Sequence, residues 1–527
     1  MRKIPLGVSF GFLLIASVVL IGCSQFRHSQ GQICINMRDD PRSLDPREVR
    51  LLSNINLIRH IYEGLVQENT HTGEIEPALA EHYFISEDGM QYTFQLRQAY
   101  WSNGDPLTAT DFIDSWKQVV THEVGGVYHF AFDPIKNAKK VSQQNCSLSE
   151  VGFYAKDERT LVIDLESPTS HFLKLLSLPI FFPVHKKQRE GITTKPITNG
   201  AFYPKKMKAK QWIHLEKNPY YYNQEQVNTH SIIVHFIPDA NTAALLFNQG
   251  KLHWQGPPWG ERIPTEALAY LQSQGHLHTF EVAGTSWITF NINKFPFNHA
   301  KLRKAMSLAL DKEALVAAAF LDRVRPASHL LPTNIHKYPP SDLLSKEHNK
   351  CLAKKLFVEA MKELGMSIKD IENHALVFPS GSASHALLVQ LVREQWKETL
   401  GFTIPILGKE FSLLQKELTS GQFSLATGEW FADFSDPMAF LSIFGTSGVL
   451  PYRIPHKDFL SLLATIEHER EPQRRLELIS QAALYLESLH IIEPIYHDAF
   501  HVALNKKFSN LTLSPTGIVD FRHTNAP

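Results

Sequence analysis

The residues best placed to do chemistry lie in one short run, Gly428-Glu429-Trp430-Phe431-Ala432-Asp433-Phe434-Ser435-Asp436-Pro437. The run sets a carboxylate, Asp433, among aromatic side chains. Such a carboxylate can hold a cation whose desolvation would otherwise go uncompensated. From the residues alone, Asp433 can equally cap a turn ahead of Pro437, because Asp bonds its own backbone in turns. The 26 His raise metal chemistry. Gly275-His276-Leu277-His278 puts two imidazoles on one face of a strand, and His497 and His501 sit four apart in a region that reads as strand and loop. Neither pair has a third ligand at metal spacing. Gly445-Thr446-Ser447-Gly448 is one residue short of a nucleophile elbow. Gly250-Lys251 lacks the spacing and the Ser or Thr of a phosphate loop. No carboxylate pair is placed beside a nucleophile. No catalytic residue, metal site or cofactor is expected, and the chain does not read as an enzyme.

The elements that must position Asp433 come from a chain of 527 residues, long enough for about three domains. With 43% hydrophobic and 20% charged residues it can bury a core without disulfides. The formal net charge of zero gives no basic field for nucleic acid. Cys34, Cys146 and Cys351 match no zinc or redox spacing, and none is expected to form a disulfide.

Arg2 and Lys3 precede an uncharged Leu/Ile/Val/Phe-rich stretch from Ile4 to Gly22. Its position behind positive charge and its small terminal residues favour a signal peptide over a transmembrane anchor. Leu20-Ile21-Gly22-Cys23 resembles the lipobox of bacterial lipoproteins, which implies cleavage before Cys23 and a lipid on its thiol. Residues 24–527 are then expected outside the cytoplasmic membrane.

Beyond a polar tether at 24–32, strands and helices alternate. Ile33–Met37 alternates as a first strand and 51–66 reads as a helix. Asp88-Gly89 marks a hairpin turn ahead of the strand 92–97, and Thr108 or Thr110 caps a helix through Asp111–Trp116. Alternating strands run from 202 to 216, a short helix spans 241–250 with Gly at its end, and 287–293 is a strand followed by a helix at 302–310. Helices are expected at 350–365, 384–400 and 473–489, and strands at 402–406 and 491–496.

Several motifs occur in order: Ser43-Leu44-Asp45-Pro46, Glu63-Gly64-Leu65-Val66, Pro77-Ala78-Leu79-Ala80-Glu81, Ser86-Glu87-Asp88-Gly89, Tyr92-Thr93-Phe94, Trp101-Ser102-Asn103-Gly104-Asp105-Pro106-Leu107-Thr108-Ala109, Thr198-Asn199-Gly200-Ala201-Phe202 and Asn218-Pro219-Tyr220. Together they resemble the oligopeptide-binding family, the extracytoplasmic solute-binding proteins (family 5) of bacterial peptide ABC importers, from about residue 33 to residue 500. The resemblance implies an α/β class: a two-lobed periplasmic binding protein fold (type II, cluster C) with an extra inserted domain. It implies a discontinuous lobe I at 24–60, 183–285 and 501–527, an inserted domain II at 61–182, and a lobe III at 286–500.

It also implies a function. Short peptides would be captured between lobes and delivered to ABC permease subunits by a lipid-anchored monomer. Gly428–Pro437 is similar to the family segment in which an Asp pairs with the peptide amine, and Asp433 stands at that position. Trp430 would wall a side-chain pocket, and the Gly428–Phe431 backbone would pair with the ligand. Asp40 and Arg42 would lie at the cleft by analogy. Some relatives carry a Cys at the position of Phe431, paired near Trp287; that staple is absent here. Nickel, haem or a sugar on the same scaffold, or an envelope peptidase, are the alternatives, and Asp433 argues for an amine. A murein peptide would need additional cations for its carboxylates, which the sequence does not place.

Overall fold

The computed structural model describes residues 31–189, 191, 195–321, 323–338, 346–445 and 456–525. Cys23 and the leader lie outside the described residues.

The first strand, Gln32–Met37, is buried throughout, as its Ile and Met content requires. It runs parallel to Ser231–Phe236, which continues antiparallel through Trp212–Lys217 to Phe202–Lys208, giving a four-stranded sheet. The alternation expected over 202–216 is thus a hairpin, turning at Lys210 in a left-handed conformation.

A second four-stranded sheet lies in the inserted region, in the order Ala80–Ile85, Gln91–Leu96, Thr160–Asp164, Phe153–Ala155, all antiparallel. Helix Ala109–Val120 begins at Thr108, where a capping box with Asp111 satisfies two exposed N–H groups. The helix buries Phe112 and Trp116, and the Trp116 indole donates to the Phe181 carbonyl at 2.8 Å. Gly89 turns the Asp88-Gly89 hairpin at φ +71°.

The third sheet has seven strands and is built on two long ones, Leu277–Phe290 and Ile492–Leu504, which pair antiparallel. Leu425–Phe431 pairs with the far half of Leu277–Phe290 and then, in parallel, with Leu376–Pro379. Trp254–Gln255 closes the near edge against Leu504 and Ala503. The far half packs over its own core of Phe290, Met306, Phe357, Trp396 and Tyr496. The near half packs over a separate core with Phe247, Leu252 and Leu271. Between these two ends Val282, Trp287, Ile492, Phe500 and Val502 belong to the largest core, which also holds Ile33, Phe112 and Ile479, so both long strands run through a shared interior.

Four elements depart from the sequence expectation. The helix expected over 51–66 spans Leu52–Ile61 and ends at Tyr62 in an extended conformation. Tertiary bonds cut it short: Glu63 N–H donates to Asn199 Oδ1, and Gly64 sits against the Phe182 ring. The strand expected at 402–406 begins only at Ile406, because Pro405 has no N–H for the ladder and Thr403 N–H donates to Glu372. The strands expected at 287–293 and 491–496 are much longer. His497 and His501 consequently stand on one strand, bonded to Thr285 and Thr279 respectively, rather than forming a pair.

Gly200 holds helix Leu52–Ile61 against the first sheet. Its N–H donates to the Ile61 carbonyl at 2.9 Å, and a Cβ on it would lie 2.5 Å from the Ile61 carbonyl carbon. Neither backbone can yield cheaply. Gly200→Ala should destabilise the protein by about 2–3 kcal/mol, at the upper end for overpacking, in urea unfolding; a change within 0.5 kcal/mol would contradict this contact.

Candidate functional site

A cleft of about 1840 Å³ opens against the first and third sheets at Phe236, Phe431 and Phe500. This exceeds the roughly 300–1,000 Å³ of a drug-sized site. Its wall draws on the loop after the first strand, the start of helix Leu52–Ile61, the turn Gly126–Phe132 of the inserted region, Pro257–Arg262, and Phe431–Asp433. Four sequence-predicted residues meet there: Asp433, Phe431, Asp40 and Arg42. Gly428 and Trp430 do not line it. Gly428 is paired with Trp287 in the sheet, and Trp430 turns its indole N–H to the Ala439 carbonyl at 2.9 Å.

The strand Leu425–Phe431 delivers Phe431 and Asp433 to the cleft. Phe431 lies over Gly284, where a Cβ would come within 2.5 Å of its ring. The strand is bonded on one edge along its whole length by Gly284–Phe290. On the other edge the described ladder stops at Ala426. The backbone from Thr427 to Phe431 thus has no strand on that edge among the described residues.

Asp433 is the electrostatic anomaly of the cleft. Tyr128 Oη donates to its Oδ1 at 3.0 Å, and among the described residues no Lys, Arg or His forms an ion pair with it. Burial pushes its pKa up to about 6, against the lowering effect of the Tyr128 bond. Burial and the adjacent carboxylate together raise the Tyr128 phenol. By surface area Asp433 as a whole is only partly buried. Asp436, three residues on, is the opposite case. It is also desolvated, but Arg475 reaches both its oxygens at 2.8 and 3.0 Å and Lys174 stands at 3.9 Å, so its pKa is lowered.

Other cleft charges are mostly satisfied. Arg262 forms a bidentate pair with buried Asp498 at 2.6 and 3.1 Å, and Arg38 meets Glu261 at 3.0 Å. Asp40 accepts from the Lys210 N–H at 2.8 Å through one oxygen, while its other oxygen is buried without a donor. Arg42 is exposed. Sequence reasoning missed Tyr128, Arg59, Trp259 and Arg262. No spacing marks them, since each reaches the cleft only through tertiary contacts. The histidines gather no metal set: among the described residues no three His, Cys, Asp or Glu converge on one point.

The family model of the bacterial extracellular solute-binding proteins, family 5 (middle), matches residues 74–450. The chain belongs to this family. Family 5 proteins are transport binding proteins, and this member is a binding protein, not an enzyme. It is 29% identical to the oligopeptide-binding protein OppA of Bacillus subtilis over 504 residues, covering 93% of this chain and 91% of the relative. It is 25% identical to the dipeptide-binding protein DppE of the same organism, covering 99% of each. Among solved structures, the Escherichia coli murein tripeptide binding protein MppA superposes with a TM-score of 0.79 at 25% identity, covering 95% of this chain and 99% of that one. Haemophilus influenzae OppA in complex with RPPGFSPFR gives 0.77 at 21% identity, covering 94% and 99%. The family 5 fold is the two-lobed α/β fold expected, with both lobes built on mixed helices and sheets.

The two carboxylates predict opposite mutational signs. Asp436→Ala strands Arg475 and Lys174 and should cost about 3–5 kcal/mol. Asp433→Asn removes an uncompensated charge and should not lower stability at pH 7. Because the Asp433 pKa is raised in the folded state, its neutral form favours folding, and this contribution grows as pH falls from 7 through about 6 towards its unfolded value of about 3.9. Urea titrations of both variants at pH 7 and pH 5 check the signs.

Proposed function

We propose that this family 5 protein captures short peptides in the cleft, with the Asp433 carboxylate taking the α-ammonium group, and delivers them to ABC permease subunits in the membrane. The observation that carries this is a desolvated carboxylate with a hydroxyl donor but no cation among the described residues, in a cleft large enough for an extended ligand. A ligand ammonium would supply the missing charge. The open edge from Thr427 to Phe431 supports the same reading, because strand addition binds a peptide backbone without reading its side chains. The names of the curated relatives, oligopeptide- and dipeptide-binding proteins, agree with it.

The proposed division is lobe I at 24–60, 183–285 and 501–527, domain II at 61–182 and lobe III at 286–500. The proposed boundaries at 285/286 and 500/501 fall within the two long strands, and the far ends of those strands join a core of their own, which supports the division. Closure about these strands would be stabilised only by what the ligand adds to the closed state. The lipobox-like Leu20–Cys23 supports a lipid anchor on the outer side of the membrane, with the binding domain acting as a monomer.

Ligand-stripped protein should melt higher with mixed tri- to pentapeptides and unchanged with the same mixture acetylated at its amines. Ligand at about 100 times its dissociation constant adds roughly 2.7 kcal/mol to the native state. No shift with either mixture would sink peptide capture. Affinity for free-amine peptides should also fall below pH 6, approaching tenfold per pH unit, as Asp433 protonates, while an α-amine titrating near 7.7–8.0 weakens it on the alkaline side. Calorimetry from pH 5 to 8 tests this; in Asp433→Asn the acid limb should vanish.

A further inference from the structure

Helix Leu52–Ile61 turns Leu52, Ile55 and Arg59 towards the cleft, the spacing of one helical face. Leu51 and Ile180 line the cleft as well. Arg59 is unlike the other cleft cations. One terminal nitrogen, Nη2, donates to the Ser177 carbonyl at 2.7 Å, and the guanidinium carbon lies 5.9 Å from the centre of the Phe182 ring. Its Nε–H is buried and meets no acceptor. Among the described residues no carboxylate forms an ion pair with it. The carboxylate that acts on it electrostatically, Glu68, forms no hydrogen bond or ion pair with it, and its Oε1 accepts from Ser435 at 2.6 Å and from Thr516 at 3.3 Å. Arg38 and Arg262, by contrast, have carboxylate partners, while Arg42, Arg50 and Lys210 are exposed, where water compensates them.

A guanidinium carries five N–H donors in a planar fork that matches a carboxylate. Leaving such a charge desolvated and unpaired is costly unless a ligand completes it. We infer that Arg59 is a carboxylate-binding subsite of the cleft, completed by an anionic group of the bound peptide. This rests on the peptide reading above and deepens it. Asp433 would take the ligand's cation and Arg59 its anion, so the preferred ligand is zwitterionic, with its carboxylate reached past an apolar rim of Leu51, Leu52 and Ile55. The carboxylate can be the peptide's C-terminus or an Asp or Glu side chain, and the two are separable by experiment.

Purified protein is titrated calorimetrically with Ala-Phe-Ala as free acid and as C-terminal amide, and with Ala-Glu-Ala beside Ala-Gln-Ala. The expected result is at least a roughly tenfold loss of affinity for one neutralised partner, the amide or the Gln peptide, as a lost charged hydrogen bond implies. The pair that shows the loss identifies the source of the carboxylate. In Arg59→Met, which keeps the length of the stem, that ratio should collapse to near one. Arg59→Lys, which keeps the charge and loses the fork, should keep part of it, and serves if Arg59→Met does not fold. An Arg59 that only braces Ser177 would change the melting temperature and leave the ratio intact, which would overturn the inference. So would equal binding of acid and amide and of Glu and Gln peptides by the unmodified protein. If none of the four peptides binds, the functional reading itself fails and Arg59 falls with it.

Discussion

Leu277–Phe290 and Ile492–Leu504 pair over most of their lengths, and the wall segments around the cleft are set relative to them. The pairing is interrupted between Glu281 and Thr285, where the register shifts. Such a bulge leaves backbone groups unpaired within the ladder and frees them for other partners. Here Ala283 uses both. Its N–H donates to the Pro515 carbonyl at 2.7 Å, and its carbonyl accepts from the Ala432 N–H at 2.8 Å. One residue in the interruption therefore holds the C-terminal segment on one side and the Phe431–Asp433 segment on the other. Gly284 beside it leaves room for the Phe431 ring. The interruption of the ladder thus fixes the segment that carries the Asp433 carboxylate.

Three carboxylates near the cleft show how the chain distributes desolvation. Asp436 and Asp498 are buried, and each is met by both arms of an arginine. The geometry is the bidentate one that makes such pairs worth their burial. Asp433 is desolvated as well, yet has only a phenol donor. Arg59 is the complementary case, a guanidinium with a carbonyl and an aromatic face but no anion among the described residues. A fold pays for unpaired buried charge in stability. Such groups persist at sites where another molecule completes them.

The family assignment narrows the chemistry without naming the ligand. One scaffold hosts many cargoes, so the residues of the site decide which cargo it takes. A general peptide binder has to fix the features that all peptides share, the charged ends and the extended backbone. The cleft carries a carboxylate and a guanidinium that form no ion pair among the described residues, and the strand edge open from Thr427 reaches it at Phe431. Its residual volume leaves room for side chains to sit in water, which tolerates variety.

Local information determined much of this protein. Alternating hydrophobicity placed Gln32–Met37 and Gln91–Leu96, capping chemistry placed the start of Ala109–Val120, and 3.6-residue periodicity placed the helices Lys346–Leu364, Ala383–Leu400 and Pro472–Ser488. The order of short motifs identified the family, and with it Asp433 as the residue to examine. Element ends were legible only where a local signal set them. Helix Leu52–Ile61 stops early because Asn199, 136 positions from Glu63, bonds its N–H, and no window of sequence contains both. Asp433, by sequence alone, could have been a turn cap. The tertiary structure made it a desolvated acceptor, by bringing Tyr128 from 305 positions away and, among the described residues, no cation with it. Arg59 and Tyr128 carry no signature of their own, because desolvation and the absence of a counter-ion depend on everything packed around a charge and not on its neighbours along the chain.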